Sequence, residues 1–139
     1  MAADSSHTTY ADTTLIQSAL TSLNLQVESV AALAPRINAD FAGACRLVLA
    51  SKGRVVVMGM GKSGHIANKI AATLSSTGTP AYFVHPAEAS HGDIGMVTRD
   101  DVVLALSNSG TTPEVLALLP ILKRKGVALI ALTGNPSSE

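Results

Sequence analysis

The sequence predicts an α/β fold, in which helices cover both faces of a doubly wound parallel sheet. Hydrophobic residues make up 47% of the chain and charged residues only 14%, a balance that favours strands buried on both faces. In the second part of the chain short apolar runs alternate with helical patterns, and strand–helix–strand units form right-handed parallel crossovers. The 139 residues are enough for one compact domain with its own core.

Two helices are predicted before the sheet begins. Residues 1–12 are small and polar and are expected to form a loose tail, ahead of a domain that spans residues 13–139. Apolar residues recur at helical spacing over residues 13–33, and Pro35 interrupts that helix. A second helix is expected over residues 36–51, with Gly53 as its stop.

The remaining elements alternate between strand and helix. After the last predicted strand only a turn follows, over residues 133–139. Because a parallel strand needs a helix to cover its face, we expect the domain to continue past residue 139. The predicted strands are Arg54–Met58, Ala81–Val84, Asp101–Leu106 and Val127–Leu132, the predicted helices are Gly64–Thr77 and Glu114–Lys125, and His85–Thr98 is predicted to be irregular.

Charge and cysteine content exclude several classes of function. Ten basic residues balance ten acidic ones, and no stripe of Lys and Arg with interleaved aromatics is present, so no nucleic-acid partner is expected. No apolar stretch approaches the roughly 20 residues of a membrane span, and no signal-peptide pattern is present, so no membrane partner is expected either. The single cysteine, Cys45, is predicted to lie in the core, and a chain without an internal disulfide fits the cytoplasm.

A loop rich in hydroxyl groups follows the third predicted strand. It reads Ser-Asn-Ser-Gly-Thr-Thr over residues 107–112, and we call it the serine loop. It leads into a helix, whose N-terminal N–H groups are unpaired and attract anions. Pro113 suits the first helical position, and Thr112 is expected to cap the helix. The loop is therefore a candidate phosphate cradle, and an ordinary capped turn is the alternative.

A glycine loop, Gly59-Met60-Gly61-Lys62-Ser63-Gly64, follows the first predicted strand. Its G-x-G-x-x-G spacing is that of dinucleotide-binding folds, but the next strand ends in His85-Pro86 without the acidic residue that would hold a ribose. The standard P-loop spacing is absent too, because Val56 stands where its first glycine would be. A loop for a single phosphate remains, with Lys62 and Ser63 as candidate ligands, although a lysine at a helix start is commonly just solvated.

Both loops follow the carboxyl ends of predicted parallel strands, which is where ligands bind in doubly wound folds. The side chains that could bind an anion are therefore expected to face one pocket. These are Lys62, Ser63, Ser107, Ser109 and Thr112.

Between these loops lies a segment with several titratable side chains, residues 85–93. His91 or Glu88 is a candidate for general acid–base work, since histidine titrates near neutral pH. His85 is predicted to be a structural turn residue. The histidines and carboxylates could hold zinc, but no spacing typical of a dedicated metal site is present, and no metal or other cofactor is expected.

The two loops and the segment between them resemble those of sugar isomerase (SIS) domains. Residues 107–112 are similar to the S-x-S-G-x-T phosphate loop of that family. Residues 55–65, 76–80 and 83–96 closely resemble bacterial arabinose-5-phosphate isomerases. The match extends from about Leu15 to the last residue and corresponds to the N-terminal part of those proteins only.

The resemblance implies a flavodoxin-like SIS fold, assembled as a homotetramer, that interconverts ribulose 5-phosphate and arabinose 5-phosphate. That reaction is the entry to 3-deoxy-manno-octulosonate in lipopolysaccharide biosynthesis. Zinc inhibits members of the family without serving catalysis, with His91 as the candidate contact. The implied site comprises the catalytic Lys62, His91 and Glu114, the phosphate-binding Ser63, Ser107, Ser109 and Thr112, and the substrate-binding Gly61 and Gly110.

The chain departs from the family pattern in two ways. Thr111 stands where many relatives have glutamate inside the serine loop. The family's remaining catalytic glutamate and histidine, and its usual C-terminal regulatory modules, are expected beyond residue 139, so the chain would hold half of an active site and its own activity is left open. The alternative is a SIS domain that senses a sugar phosphate without chemistry, against which Lys62, His91 and Glu114 favour an enzyme.

Overall fold

The computed structural model describes residues 10–138, so residues 1–9 of the predicted tail lie outside the described part of the chain. The chain divides into two units, of which the first ends at Ala42 and the second begins at Gly43. The first unit is helical, and the second holds the whole sheet. Among residues 10–138 no helix has both the length and the apolar character needed to cross a membrane.

Two helices precede the sheet, as predicted. Helix α1 spans Asp12–Ala31, and a 3-10 turn at Ala34–Arg36 follows it, with proline in its first positions. Helix α2 spans Ala39–Ala50. It begins after Asn38, whose side-chain oxygen accepts hydrogen bonds from two backbone N–H groups of its first turn, at 2.9 and 3.3 Å. The prediction that Cys45 lies in the core was wrong: its side chain is exposed, and α2 has no buried residue.

Four parallel strands form the sheet. Its strand order is β2-β1-β3-β4, which is the flavodoxin-like order over four strands. The prediction of an α/β fold with a parallel sheet is therefore confirmed. The strands are β1 (Val55–Gly59), β2 (Ala81–Val84), β3 (Val102–Leu106) and β4 (Ala128–Leu132).

Successive side chains of the central strands point to opposite faces of the sheet, so the core has two layers, one on each face. On β1, Val55 and Val57 face one layer and Val56 and Met58 face the other, as the two-residue period of a strand requires. The first layer packs against α3 (Gly61–Ser76), through small residues such as Ala67. The second packs against the helices on the opposite face. These are α4 (Pro86–Ser90), α5 (Pro113–Leu116) and α6 (Leu119–Lys125).

Helix α2 begins at Ala39 rather than at residue 36, and the helices after β1 differ from the predicted ones in three places. The segment 85–98, predicted to be irregular, contains α4 and a 3-10 turn at Asp93–Met96. The helix predicted over residues 114–125 is two helices, because Pro120 lacks an N–H and its ring clashes with the carbonyl of the residue four positions earlier. Helix α3 starts at Gly61 rather than Gly64, which places part of the glycine loop inside its first turn.

The amino end of the sheet is tied together by a buried carboxylate. Asp101 is 2% exposed and accepts hydrogen bonds from the backbone N–H groups of Arg54 and Thr98, both at 2.7 Å, and from the Thr98 hydroxyl at 3.0 Å. The nearby Arg54 side chain lies over the ring of Tyr82, 4.6 Å from its centroid. This cluster holds the starts of β1 and β3 together, at the end of the sheet opposite the two loops.

Candidate functional site

The loops that follow β1 and β3 start side by side at the carboxyl edge of the sheet. The two strands are neighbours, and Gly59 at the end of β1 lies opposite Leu106 at the end of β3. Neighbouring strands are about 4.8 Å apart, so the glycine loop (residues 59–64) and the serine loop (residues 107–112) leave the sheet next to each other. This arrangement brings the two candidate anion-binding loops to one edge, as the sequence indicates.

Glycines allow the tight passage from β1 into α3. A Cβ atom on Gly59 would lie 2.9 Å from the carbonyl oxygen of Ser63, and one on Gly64 would lie 2.7 Å from that of Gly59. Gly61 has a φ of 52°, in the left-handed region that favours glycine. The strand and the helix can approach this closely only because these positions carry no side chain.

Lys62 and Ser63 lie in the first turn of α3, where backbone N–H groups have no partner within the helix. The residue before the helix, Met60, provides no side-chain cap for those groups. The Lys62 side chain is exposed and Ser63 is half-buried. The turn therefore presents an ammonium group, a hydroxyl and N–H donors, all of which suit an anion.

An inner pair of hydroxyl groups holds the serine loop in shape. Ser107 Oγ lies 2.7 Å from Thr112 Oγ1 and accepts a hydrogen bond from the backbone N–H of Gly110 at 3.1 Å. Thr112 is at the N-cap position of α5 but its side chain makes no capping hydrogen bond. The predicted cap was therefore wrong, because the Thr112 hydroxyl is engaged by Ser107 inside the loop.

An outer pair of residues lies on the exposed side of the same loop. Ser109 Oγ accepts hydrogen bonds from the backbone N–H of Thr111 at 3.2 Å and from the Thr111 hydroxyl at 3.1 Å. Both side chains are exposed. The sequence marks Thr111 only as a departure from the family pattern, and a contact between side chains two positions apart has no sequence signal of its own.

The turn after β4 packs against the serine loop. The N–H of Gly134 donates to the carbonyl oxygen of Asn108 at 3.0 Å. A Cβ atom on Gly110 would collide with the side chain of Ser138 and would lie 3.1 Å from Thr133 Oγ1. A small pocket lies between the two segments. Sequence reasoning missed this contact, because it depends on the pairing of β4 with β3, for which the sequence carries no direct signal.

The three candidate catalytic side chains lie on different elements and are all exposed. Glu114 is in the first turn of α5, directly after the serine loop. His91 follows the last turn of α4, which contacts α5. Within residues 10–138, Lys62, His91 and Glu114 make no ion pair. Their side chains are therefore accessible to a ligand, and their catalytic roles stay predictions.

The histidine and carboxylate segment does not form a metal centre in the part of the chain that the structure describes. No group of three His, Cys, Asp or Glu side chains able to hold a metal occurs among residues 10–138. His85 precedes Pro86 at the start of α4, where a turn residue is expected, and its ring meets that of Phe83 edge-on with centroids 6.3 Å apart. Glu88 is exposed on α4.

Comparison with known proteins identifies the family. The SIS domain family model matches residues 48–139. The arabinose 5-phosphate isomerase KdsD of Pseudomonas aeruginosa is 64% identical over 123 residues, which cover 88% of this chain and 38% of that protein. The protein of the same name from Escherichia coli K12 is 57% identical over 117 residues, which cover 84% and 36% respectively. The chain thus spans less than two fifths of these curated relatives.

Solved structures give the same result for the fold. Escherichia coli CFT073 c3406, in complex with arabinose 5-phosphate, matches with a TM-score of 0.89 and 44% identity, over 94% of this chain and 69% of that one. Phosphoheptose isomerase GmhA of Neisseria gonorrhoeae matches with a TM-score of 0.70 at 16% identity, over 86% and 74% of the two chains, and shares the fold alone. With a family model matched over more than half of its length, the chain belongs to the SIS domain family.

Proposed function

We propose that the chain is the phosphate-holding part of an aldose–ketose isomerase that interconverts D-ribulose 5-phosphate and D-arabinose 5-phosphate. The observation that carries the proposal is the pairing of the serine loop with the first turn of α3 at one edge of the sheet. Two relatives named arabinose 5-phosphate isomerase, at 57% and 64% identity, and a related structure in complex with arabinose 5-phosphate support this choice of substrate.

In the proposed complex the phosphate binds between the two loops. The hydroxyls of Ser63 and Ser109 and the free N–H groups of α3 donate hydrogen bonds to its oxygens, and charge assistance makes such bonds strong. Ser107 and Thr112 keep the serine loop in the shape that presents Ser109. Gly61 and Gly110 permit the close approach of backbone to ligand. Binding at the phosphate then fixes the reacting carbons, which is an orientation effect.

The reaction itself is a transfer of protons within one sugar. From the aldose, a base removes the proton on C2, a double bond forms between C1 and C2, and the C1 carbonyl oxygen gains a proton, which gives a cis-enediol. Return of a proton to C1 and loss of the proton on the C2 hydroxyl then give the ketose. Hydrogen only changes place within the molecule, so the reaction consumes no redox cofactor.

Three side chains have roles in this scheme. Lys62 stabilises the oxygen that becomes negatively charged on the way to the enediol, since a cation placed beside a developing charge lowers the barrier. Glu114 is a base or acid for one of the proton transfers. His91 orients the sugar hydroxyls or assists ring opening. Further acid–base groups come from the remainder of a full-length isomerase.

The proposal includes the setting implied by the family, namely a cytoplasmic homotetramer that supplies a sugar phosphate for lipopolysaccharide. Helix α1 supports self-association, because five of its apolar residues follow the alternating four- and three-residue spacing of a coiled-coil seam. Light scattering of the 139-residue chain should give the mass of four chains. A monomer at all concentrations would contradict the proposed homotetramer. The seam residues are Ile16, Leu20, Leu23, Val27 and Val30.

A chimera provides the test of catalysis. Residues 1–139 are joined to the remainder of the Pseudomonas aeruginosa relative, and isomerisation of arabinose 5-phosphate is followed beside the 139-residue chain. We expect the chimera to be active. Lys62→Ala in the chimera should lower kcat by about a hundredfold or more, as for loss of one group that stabilises a developing charge. Lys69→Ala, which removes an exposed lysine from the same helix, is the matched control and should keep kcat.

The outcomes separate an enzyme from a sensor. An active chimera that loses kcat with Lys62→Ala and not with Lys69→Ala supports the proposal. A folded chimera that binds the sugar phosphate without turnover would favour the non-catalytic SIS domain. Near-normal turnover of the Lys62→Ala chimera would contradict the role given to Lys62.

A further inference from the structure

The hydroxyl group of Ser109 has both of its acceptor positions filled by one neighbouring residue. A serine hydroxyl has one proton to donate and two lone pairs to accept hydrogen bonds. The backbone N–H and the hydroxyl of Thr111 both donate to Ser109 Oγ, at 3.2 and 3.1 Å. The Ser109 proton must therefore point away from Thr111, to an acceptor outside this pair.

The inner hydroxyls differ from that of Ser109 in their exposure and in their partners. Ser107 is buried, at 8% exposure, and its hydroxyl and that of Thr112 are hydrogen-bonded to each other. Ser109 is exposed, and among residues 10–138 no acceptor receives its proton. The bond between Ser107 and Thr112 uses one of their two protons, so one inner hydroxyl also keeps a proton, but Ser109 is the exposed serine of the loop, whose proton can reach a ligand at the surface.

We propose that Thr111 is a positioning residue, which turns the Ser109 hydroxyl into a fixed donor for a phosphate oxygen. The inference rests on the proposed function and deepens it, since it assigns a role to a residue that the proposed site does not otherwise use. Two hydrogen bonds accepted by Ser109 also polarise its O–H group, and such chains of hydrogen bonds strengthen one another. The hydroxyl thereby meets the phosphate without having to give up a competing donor interaction.

Three substitutions isolate the hydroxyl of Thr111. Thr111→Val keeps the shape and the backbone N–H but removes the O–H group, so one lone pair of Ser109 becomes free and its proton can rotate. We expect affinity for arabinose 5-phosphate to fall about three- to tenfold, the size typical of one neutral hydrogen bond. Thr111→Ala should give the same loss. Thr111→Ser restores the O–H group and should recover most of the affinity.

A double-mutant cycle with Ser109→Ala tests whether Thr111 acts through Ser109. Thr111→Val in the Ser109→Ala background should cause no further loss, because the hydroxyl that it positions is already gone. Thr73→Val, at an exposed threonine of α3, is the control and should leave affinity unchanged. Thermal unfolding of each variant shows whether the fold is kept; a merely structural role would lower the unfolding midpoint and would not show the coupling.

The affinity of each variant of the 139-residue chain is measured by titration calorimetry, with arabinose 5-phosphate and separately with inorganic phosphate. Loss with Thr111→Val, recovery with Thr111→Ser and no added loss in the Ser109→Ala background support the proposal. Equal affinity of wild type and Thr111→Val, or additive losses in the cycle, would overturn it. The same coupling seen with inorganic phosphate but no affinity for the sugar phosphate would uphold the role of Thr111 and overturn the proposed substrate. No binding of either ligand would overturn both.

Discussion

Asp101 is a charged side chain buried at the end of the sheet opposite the serine loop. Burial raises the pKa of its carboxyl group, but the hydrogen bonds from Thr98 and from the Arg54 backbone, with the Arg54 charge, outweigh burial and hold the pKa below its ordinary value. A carboxyl group whose pKa is lowered by folding stabilises the folded chain when ionised. This stabilisation is complete above the unfolded pKa of about 4 and is lost as the pH falls through the folded value.

Asp101→Asn should lower the free energy of unfolding at pH 7 by about 1–3 kcal/mol, because an amide cannot accept all three hydrogen bonds of the carboxylate. It should also reduce the loss of stability below about pH 4. Urea unfolding at pH 7 and at acid pH measures both effects. Asp100→Asn is the control, since that side chain is 59% exposed and its surface ion pair with Arg99 should contribute little. Equal effects of the two substitutions would contradict this account of Asp101.

At the scale of single elements, the local sequence pattern predicts the strands correctly. It does not predict correctly where α3 begins or where the helix after the serine loop breaks. β2, β3 and β4 agree with their predicted ranges to within a residue, because short apolar runs bounded by turn residues have few alternatives. The prediction begins α3 at Gly64, three residues late, because a glycine-rich stretch favours a loop, whereas Gly61 is the first residue of the helix in the structure. Pro120 is the sequence signal for the break between α5 and α6, because a proline disfavours a continuous helix, and the prediction of one helix over residues 114–125 was wrong at this point.

The position of the candidate site could be predicted from the order of the parallel strands and from the two loop motifs. Parallel strands place the glycine loop and the serine loop at one edge, and both motifs are visible in the sequence. The interactions among the hydroxyls were not predictable, because the choice between Thr112 capping α5 and pairing with Ser107 depends on the final loop geometry. The packing of Ser138 against Gly110 required knowledge of which strand β4 pairs with.

Two glycines with similar backbone conformations should differ in what alanine does to the site. Gly110 has a φ of 71° and Gly126 a φ of 68°, so alanine costs about 1–2 kcal/mol at either position through the left-handed backbone. A Cβ atom at Gly126 meets no atom within 4 Å, whereas one at Gly110 collides with Ser138. Gly110→Ala should therefore also displace the serine loop and weaken binding of sugar phosphate.

Urea unfolding and ligand titration of both variants check this expectation. Gly126→Ala should lower stability and leave the affinity for the sugar phosphate unchanged, as expected for a residue at the C-terminal cap of α6. Gly110→Ala should lower both quantities. If Gly110→Ala kept the affinity of the wild type, the shape of the serine loop would not matter for the ligand.

At the scale of the whole molecule, the chain contains the sheet edge that would hold a phosphate and spans 36–38% of the curated isomerases named above. The proposed catalysis is therefore tested on the chimera, and the proposed binding of the phosphate on this chain. The account depends on phosphate recognition by the serine loop and the first turn of α3. Removal of the phosphate from the ligand should remove most of the binding energy.

The most direct test is calorimetric titration of the 139-residue chain with arabinose 5-phosphate, arabinose and NAD. We predict measurable binding of arabinose 5-phosphate and affinity at least a hundredfold weaker for arabinose, because charge-assisted hydrogen bonds to the phosphate are lost. NAD should not bind, since β2, the strand after the glycine loop and α3, is followed by His85-Pro86 without the acidic residue that would hold a ribose. Equal affinity for arabinose and its phosphate, or binding of NAD instead, would contradict the account.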